Sequence, residues 1–442
     1  MSKVRTRALS VLLLVAVALF GMVFYLVRYI IHADEWASAP FNAAVYRGGE
    51  LSIGIVTDRN GVVLSDIVDG KRVFADSRDV RRATLHAVGD LAGNIGTGAL
   101  SAFAPELIGF NLITGSYSRT GEGRQIMLTI DSGLNVTAME ALDKRPGVVM
   151  VSNYKTGEIL CMVSNPTFDP ANPPDNIDIP EYDGVYLNRA IQSVYTPGST
   201  FKLITAAAAI EQIPHVYDIM FQCNGELETG QGTITCPAEH GSLNFERGMQ
   251  VSCNVVYGQL ALDLGADTMA EYAEKYSLSE RTSVSGITTA KGNFDKAAPN
   301  SANLAWSGVG QFNNTVNPAS MLRFVSAIAN DGNAVEQQLL KRGGLSALLP
   351  QRTQRVLDRD TARELGHIIE IQNRDNFPGL EIHAKSGTAQ VGGGKNPHAW
   401  YVGYITNDDY PLAFVVIVEN GGGGTAVAGP IANKVLQEAM RR

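Results

Sequence analysis

Ala8 to Val27 is a run of twenty residues without a charge, rich in Leu, Val and Ala. A run of about 20 apolar residues matches the hydrocarbon thickness of a bilayer, so it commits the chain to two compartments. Lys3, Arg5 and Arg7 precede it, and Arg28, His32, Asp34 and Glu35 follow. The positive-inside rule then places the N-terminus in the cytoplasm and everything after Arg28 outside. A cleaved signal peptide is the rival reading, with Ala37-Ser38-Ala39 as the cleavage site. The run exceeds the usual signal core of roughly 7–15 residues. An uncleaved single-pass anchor over residues 8–31, behind a cytoplasmic tail over 1–7, is therefore expected.

The 442 residues suffice for one large domain and a smaller one. An apolar fraction of 45% and a charged fraction of 18% are ordinary for a folded chain. The net charge of -8, with no basic block beyond the N-terminus, excludes nucleic acid as a natural partner, because phosphate neutralisation needs clustered Lys and Arg. The cysteines are Cys161, Cys223, Cys236 and Cys253. Outside the membrane disulfides are permitted. Cys223 and Cys236 flank a Gly-rich stretch that suits a loop-closing bridge or two free thiols. A zinc site using His240 is the alternative, but four good ligands are not apparent. Cys161 reads as packing in an apolar strand.

Residues 32–135 are expected to form a small β-containing module, with two strands around the turn Asp58-Arg59-Asn60-Gly61. The Gly- and Ala-rich stretch from Ala87 to Gly123 carries only weak periodicity. From Gly147 onward, GVVMVSNY and EILCMVSN read as a β-hairpin. Residues 165–190 read as a long loop. Ser199 to Gln212 is apolar nearly all round, as a buried helix is. HAKSGTAQV, AWYVGYIT and LAFVVIVE read as three strands, and a helix from about Gly429 closes the chain. Residues 136–442 are thus one α+β domain whose sheet joins both its ends.

Three short motifs stand in order: Ser199-Thr200-Phe201-Lys202, Ser252-Cys253-Asn254 and Lys385-Ser386-Gly387-Thr388. Each alone is weak, since S-x-x-K arises by chance roughly once or twice in a chain this long. Ser152-Asn153-Tyr154-Lys155, Lys155-Thr156-Gly157 and Ser301-Ala302-Asn303 are matching decoys. In a strand, residues three apart face opposite ways, so Ser152 and Lys155 do not meet. Lys155-Thr156-Gly157 is hairpin-turn chemistry. Ser301 reads as an ordinary cap before a turn.

On a helix, Ser199 and Lys202 share one face, and the first turn favours negative charge on Ser199. Lys202 sits among apolar residues. Desolvation would lower its pKa and let it take the Ser199 proton as a neutral base; a surface lysine fits poorly, because the flanks leave no polar face. Ser252 could relay a proton and Asn254 could hold a substrate backbone, although either residue also serves as a helix N-cap. Lys385 and Thr388 could bind a carboxylate, and Gly387 could admit a substrate strand beside it. The backbone N–H groups of Ser199 and Thr388 could form an oxyanion hole, worth about 2.7–4 kcal/mol per donor. The alternative is a solvated edge strand. His240, His383 and His398 read as structural. The runs Gly392–Gly394 and Gly421–Gly424 lack a phosphate-binding context and read as flexible loops.

The ordered trio resembles that of penicillin-binding proteins and serine β-lactamases. The flanks YTPGSTFK, HGSLNFERGMQVSCNVVYGQLALDLG, NPASMLRFVSAIANDGN and KSGTAQ…HAWYVGY resemble class B penicillin-binding proteins from Gly147 to the C-terminus, and DRNGVVL resembles the start of their N-terminal module. The resemblance implies an antiparallel sheet flanked by helices, with a helical subdomain. It also implies a D,D-transpeptidase in which Ser199 attacks the D-Ala-D-Ala carbonyl of a peptidoglycan stem peptide, and which β-lactams acylate. Ser199, Lys202, Ser252, Asn254 and Lys385 would be catalytic, and Ser386, Gly387 and Thr388 would bind substrate. No metal and no organic cofactor is implied. The cytoplasmic membrane and a polytopic glycan polymerase are the implied partners, in cell-wall synthesis and cell shape. The module after the anchor spans only about 110 residues, which implies a reduced pedestal. Cys253 is expected to point away from the cleft. A D,D-carboxypeptidase or β-lactamase would share the acylation step. A silent scaffold should have lost motif residues, and a β-lactam receptor should carry a cytoplasmic domain where about seven residues precede the anchor.

Overall fold

The computed structural model describes residues 2–37, 54–108, 124–343, 350–371 and 377–442. Helix α1 (Ser2–Ala37) contains the apolar run, and its segment Lys3–His32 is long and apolar enough to cross a membrane, with none of that window buried against protein. Ser38 and Ala39 of the rival cleavage site lie outside the described residues.

The small module holds a four-stranded sheet. β1 (Val56–Thr57) pairs antiparallel with β2 (Val63–Val68), which pairs with β3 (Lys71–Phe74). β4 (Ile126–Met127) joins β1 in parallel. Buried Asp58 builds the expected turn: its Oδ1 accepts from Asn60 N at 2.8 Å and Val62 N at 2.9 Å. The Ala87–Gly123 stretch forms short helices at Leu85–Val88, Ala99–Ala102 and Ala104–Ile108; its residues 109–123 lie outside the description, as do residues 47–53 of the first expected strand.

Helix α2 (Ser132–Leu142) begins at Asp131, whose side chain accepts from Leu134 N and caps it. The expected domain boundary at 135/136 falls inside this helix, so we propose a boundary in front of Asp131. β5 (Gly147–Asn153) and β6 (Ile159–Asn165) form the expected hairpin. Helix α3 (Lys202–Gln212) is buried from Lys202 to Ala209. It packs on α4 (Asn254–Lys275), which kinks at Gly265 and whose C-cap residue Tyr276 has its ring 4.8 Å from that of Phe324 in α5 (Pro318–Ala329). The chain closes with β7 (Ile382–Ala389), β8 (His398–Ile405), β9 (Leu412–Val418) and α6 (Gly424–Ala439).

The central sheet runs β7-β8-β9-β5-β6, antiparallel throughout. Period-two alternation supplies both faces. Val149, Val151, Val416 and Val418 pack with Ile431 and Val435 of α6, while Val148, Met150, Val415 and Ile417 pack toward α5. Strands buried on both faces explain why these runs are apolar without a break. The first and last segments of the domain thus share one sheet, and β7, which carries the third motif, is left at its edge.

Candidate active site

The decoys separate first. Ser152 Oγ faces Ser326 Oγ at 3.4 Å inside the core, while Lys155 Nζ reaches Asn330 Oδ1 at 2.9 Å near the surface. Gly157 has φ +73°, as a hairpin turn requires. Ser301 Oγ accepts from Leu304 N at 3.2 Å and caps the helix Ala302–Gly308, so it caps a helix and not a turn.

The three motifs converge on one cleft of about 710 Å³, lined by Ser199, Ser252, Asn254, Ser386 and Thr388 among others. Ser199 lies in a 3₁₀ turn, Gly198–Phe201, just before α3. In such a turn residues i and i+3 eclipse, which stacks Ser199 over Lys202. The turn is clamped: Gly198 N donates to Gly310 O at 2.9 Å, Thr200 Oγ1 to Pro197 O at 2.8 Å, and Trp400 Nε1 to Thr196 O at 3.0 Å.

Lys202 is wholly buried, and its Nζ donates to Ser252 O at 2.6 Å, Asn254 Oδ1 at 2.8 Å and Ser252 Oγ at 3.2 Å. These acceptors all belong to the second motif. Burial, and then the neighbouring Lys385 charge, push its pKa well below the ordinary lysine value. Lys385 Nζ donates to the same Ser252 Oγ at 2.9 Å and to Ser386 O at 3.0 Å; burial lowers its pKa to about 8. Ser252 Oγ is therefore a shared acceptor between two lysines, held by a backbone at φ +55°. Neither Ser252 nor Asn254 acts as a side-chain cap of α4. Asn254 Nδ2 donates to Thr235 O at 2.9 Å, which leaves one amide hydrogen and one lone pair for a substrate amide.

On β7 the alternation is sharp. Lys385 and Gly387 are buried, whereas Ser386 is half-buried and Thr388 exposed on the cleft side. Ala384 N donates outward to Ile369 O, and Ile382 O accepts outward from Ile371 N. By the two-residue repeat of a ladder, the N–H and C=O of Ser386 and Thr388 also face outward, past the segment that covers the strand's beginning. Gly387, expected to admit a substrate strand, also has a packing role. A Cβ there would lie 2.9 Å from Pro197 O and 2.9 Å from Thr200 Cγ2, so the glycine lets β7 seat against the Ser199 turn. Gly424 likewise is no flexible loop residue: it begins α6, its N donates to Thr388 Oγ1 at 3.3 Å, and a Cβ would lie 2.4 Å from Gly387 O.

Several cleft residues carry no motif in the sequence: Thr235, Trp306, Gln311, Phe312 and Gln390; Cys236 and His240, singled out for a bridge or a metal, also line the cleft. Thr235 ends the short strand Gly232–Thr235 and Trp306 sits in the helix Ala302–Gly308, while Gln311, Phe312 and Gln390 come from connecting segments without periodicity. His383 and His398 are structural as expected, the first hydrogen-bonded to Gly366 O, the second accepting from Asn420 N. His240 is not merely structural packing: its Nδ1 lies 3.5 Å from both Cys223 Sγ and Cys236 Sγ. Cys223 and Cys236 are not bridged to each other, and all four cysteines are free thiols. Cys253 is buried and points away from the cleft, and Cys161 is packed in the sheet.

Comparison with known proteins decides the family. Residues 147–437 match the model of the penicillin binding protein transpeptidase domain. The chain belongs to the penicillin-binding protein transpeptidase family. The chain is 26% identical to the peptidoglycan D,D-transpeptidase PbpA of Mycobacterium tuberculosis over 369 residues, covering 73% of this chain and 74% of that one. The stage V sporulation protein D of Bacillus subtilis is 28% identical over 359 residues, covering 73% of this chain and 54% of that protein. Among solved structures, penicillin-binding protein A from M. tuberculosis, as its ceftriaxone acyl-enzyme complex, superposes with a TM-score of 0.76. That match has 24% identity over 89% of this chain and 99% of that one, and it establishes the shared fold. The fold and the class B resemblance expected from the motifs agree with these relatives.

Proposed function

We propose that this penicillin-binding protein is a peptidoglycan D,D-transpeptidase working through a Ser199 acyl-enzyme. The observation that carries the reading is Lys202, a buried lysine kept toward its neutral form and bridged through Ser252 Oγ to Lys385. Ser199 Oγ attacks the carbonyl between the two D-Ala residues of a stem peptide, and its proton passes to the lone pair of neutral Lys202 Nζ, whose two N–H groups serve the acceptors of the second motif. The N–H groups of Ser199 and Thr388 hold the oxyanion, each worth about 2.7–4 kcal/mol. The carbon–nitrogen bond breaks, and the proton travels from Lys202 through Ser252 to the departing amine of the terminal D-Ala. A second stem's amine then attacks the ester, gives its proton back along the same path, and releases Ser199. Lys385 and Thr388 bind the terminal carboxylate, and the open edge of β7 from Ser386 onward takes the peptide as an added strand. Strained β-lactam amides acylate Ser199 by the same first step. Helix α1 is the single-pass anchor in the cytoplasmic membrane, with the catalytic domain outside, and offers a surface for a polytopic glycan polymerase.

The test is product analysis of the full chain in detergent, given a D-Ala-D-Ala stem peptide with and without an acceptor amine. Transpeptidation predicts an amide product at the expense of hydrolysis when the amine is present. Release of D-Ala to water alone, unaffected by the amine, would make the protein a carboxypeptidase.

A further inference from the structure

Past the Lys385 end of the cleft lies a second cavity, of about 430 Å³, that acylation does not use. The first cavity follows the chain from Ser386 through Thr388 to Gln390, and the second follows it from Ser386 back through Lys385 to Ala384. One wall of the second is the helix Phe245–Gln250, which leads into Ser252 and contributes Arg247 and Gln250. Another is the segment 368–371, which covers the beginning of β7. Phe377 and Tyr401 add an apolar surface: both are buried, and their rings stack at 5.5 Å and 18°.

The acylation chemistry fixes where an acceptor must arrive. The terminal D-Ala leaves with a proton from Ser252 Oγ, which lies 2.9 Å from Lys385 Nζ. An incoming amine gives its proton back through the same hydroxyl. Its nitrogen therefore has to come within hydrogen-bond reach of Ser252 Oγ, where the departing nitrogen stood. With its carboxylate at Lys385 and its scissile carbonyl at the Thr388 N–H, the donor stem runs on toward Gln390, and after acylation it still fills that end. The acceptor is left the Lys385 side. It cannot continue there as a strand, because Ala384 N already donates to Ile369 O and Ile382 O already accepts from Ile371 N. It must leave the edge of β7 at Ser386, and the second cavity lies there.

Resting on the transpeptidase reading, we propose that this second cavity is the acceptor subsite, and that it takes an amino acid residue whose amine-bearing carbon is followed by several methylenes and a distal carboxylate. The methylenes lie along Phe377 and Tyr401, and the carboxylate pairs with Arg247. Arg247 is exposed, and its Nη1 donates to Gln250 Oε1 at 3.0 Å, while Gln250 Nε2 donates to Glu246 Oε1 at 3.3 Å. The guanidinium is thus aimed by a neutral amide, and among the described residues it pairs with no carboxylate. Its remaining N–H groups offer the planar fork that matches one. Glu370, on the segment 368–371, repels an anion from that wall. In the step itself the amine nitrogen forms the new C–N bond as the bond from the acyl carbon to Ser199 Oγ breaks. The proton it sheds reaches Ser199 Oγ through Ser252 and Lys202.

The test gives the full chain in detergent a D-Ala-D-Ala stem peptide and pairs of acceptor amines in competition, with the amide products counted by mass spectrometry. D-2-aminoadipate and D-norleucine keep the α-carboxylate of the departing D-Ala and differ in the distal carboxylate. The wild type should favour the first by about 5-fold, the upper end for a partly exposed ion pair. D-norleucine should in turn outrun D-2-aminobutyrate, two methylenes shorter, by about 10-fold. Arg247→Ala should bring the first ratio close to one, and Arg247→Lys should recover part of it. A ratio taken within one sample is unmoved by loss of active protein. If the variants fail to fold, the wild-type ratios and the loss of the charge preference in high salt carry the test. Equal use of all three amines by the wild type, or a charge preference kept by Arg247→Ala, would overturn the proposal. The two readings fail separately. Amides from every amine without preference refute the subsite and leave the transpeptidase standing, whereas release of D-Ala to water with no amide from any amine refutes the transpeptidase and the subsite with it.

Discussion

At the scale of single residues, the site turns on two buried lysines that share one hydroxyl. Lys202 must be neutral to accept a proton, and Lys385 must be charged to bind a carboxylate. Burial, reinforced by the Lys385 charge, lowers the Lys202 pKa, so acylation rises as pH climbs through that depressed value. Burial holds Lys385 at about 8, so activity falls as pH rises beyond it. A bell-shaped acylation rate is expected, with its alkaline limb near pH 8. Lys385→Arg should remove that limb whatever its effect on the maximum, because a guanidinium does not deprotonate in the range. Stopped-flow acylation against pH checks both; an unchanged alkaline limb in the variant would assign it to another group. Lys202→Ala should slow acylation by about 10²–10⁴-fold, the scale of losing a general base. Ser152→Ala, at the decoy motif, should leave the acylation rate unchanged.

At the scale of elements, two glycines let the Ser199 turn dock between β7 and the segment after helix Ala302–Gly308. A Cβ on Gly310, at φ +80°, would lie 2.2 Å from Gly198 O, and one on Gly387 would strike Pro197 O and Thr200. Gly310→Ala and Gly387→Ala should each destabilise the fold by about 1–3 kcal/mol and slow acylation, since overpacking displaces the turn. Thermal melts and labelling rates on the same samples test this; a normal melt with normal labelling would show that the contacts are not tight. The elements themselves were legible where periodicity was strong. The hairpin of β5 and β6, the three C-terminal strands and the buried helix α3 follow from apolar runs bounded by Gly and Pro. The 3₁₀ turn at Ser199, the role of Gly387 and the seating of Gly424 were not, because each depends on the backbone of a segment distant in sequence. The same reason hid the cleft-lining loops and the convergence of Cys253 on His240.

Across the whole molecule, Asp131 joins three parts of the chain. It caps α2, its Oδ2 accepts from Asn60 Nδ2 at 2.8 Å in the small module, and its Oδ1 accepts from Arg442 Nη1 at 3.0 Å at the C-terminus. Asp131→Ala should cost about 0.5–2 kcal/mol of stability from the cap alone, read as a lower melting temperature, while the acylated residue stays the same. An unchanged melt would mean that the module and the catalytic domain do not depend on this junction. Helix α1 predicts that the full chain stays with membranes through high-salt and carbonate washes, and release by either would contradict an integral anchor.

The most direct test of the central claim is covalent labelling of the full chain by a fluorescent penicillin, beside Ser199→Ala, followed for hours and mapped by peptide mass spectrometry. The account predicts a stable ester on Ser199 that is absent from the folded variant. Label on another residue, or none on folded wild-type protein, would contradict it, and rapid loss of label with release of hydrolysed drug would make the protein a β-lactamase.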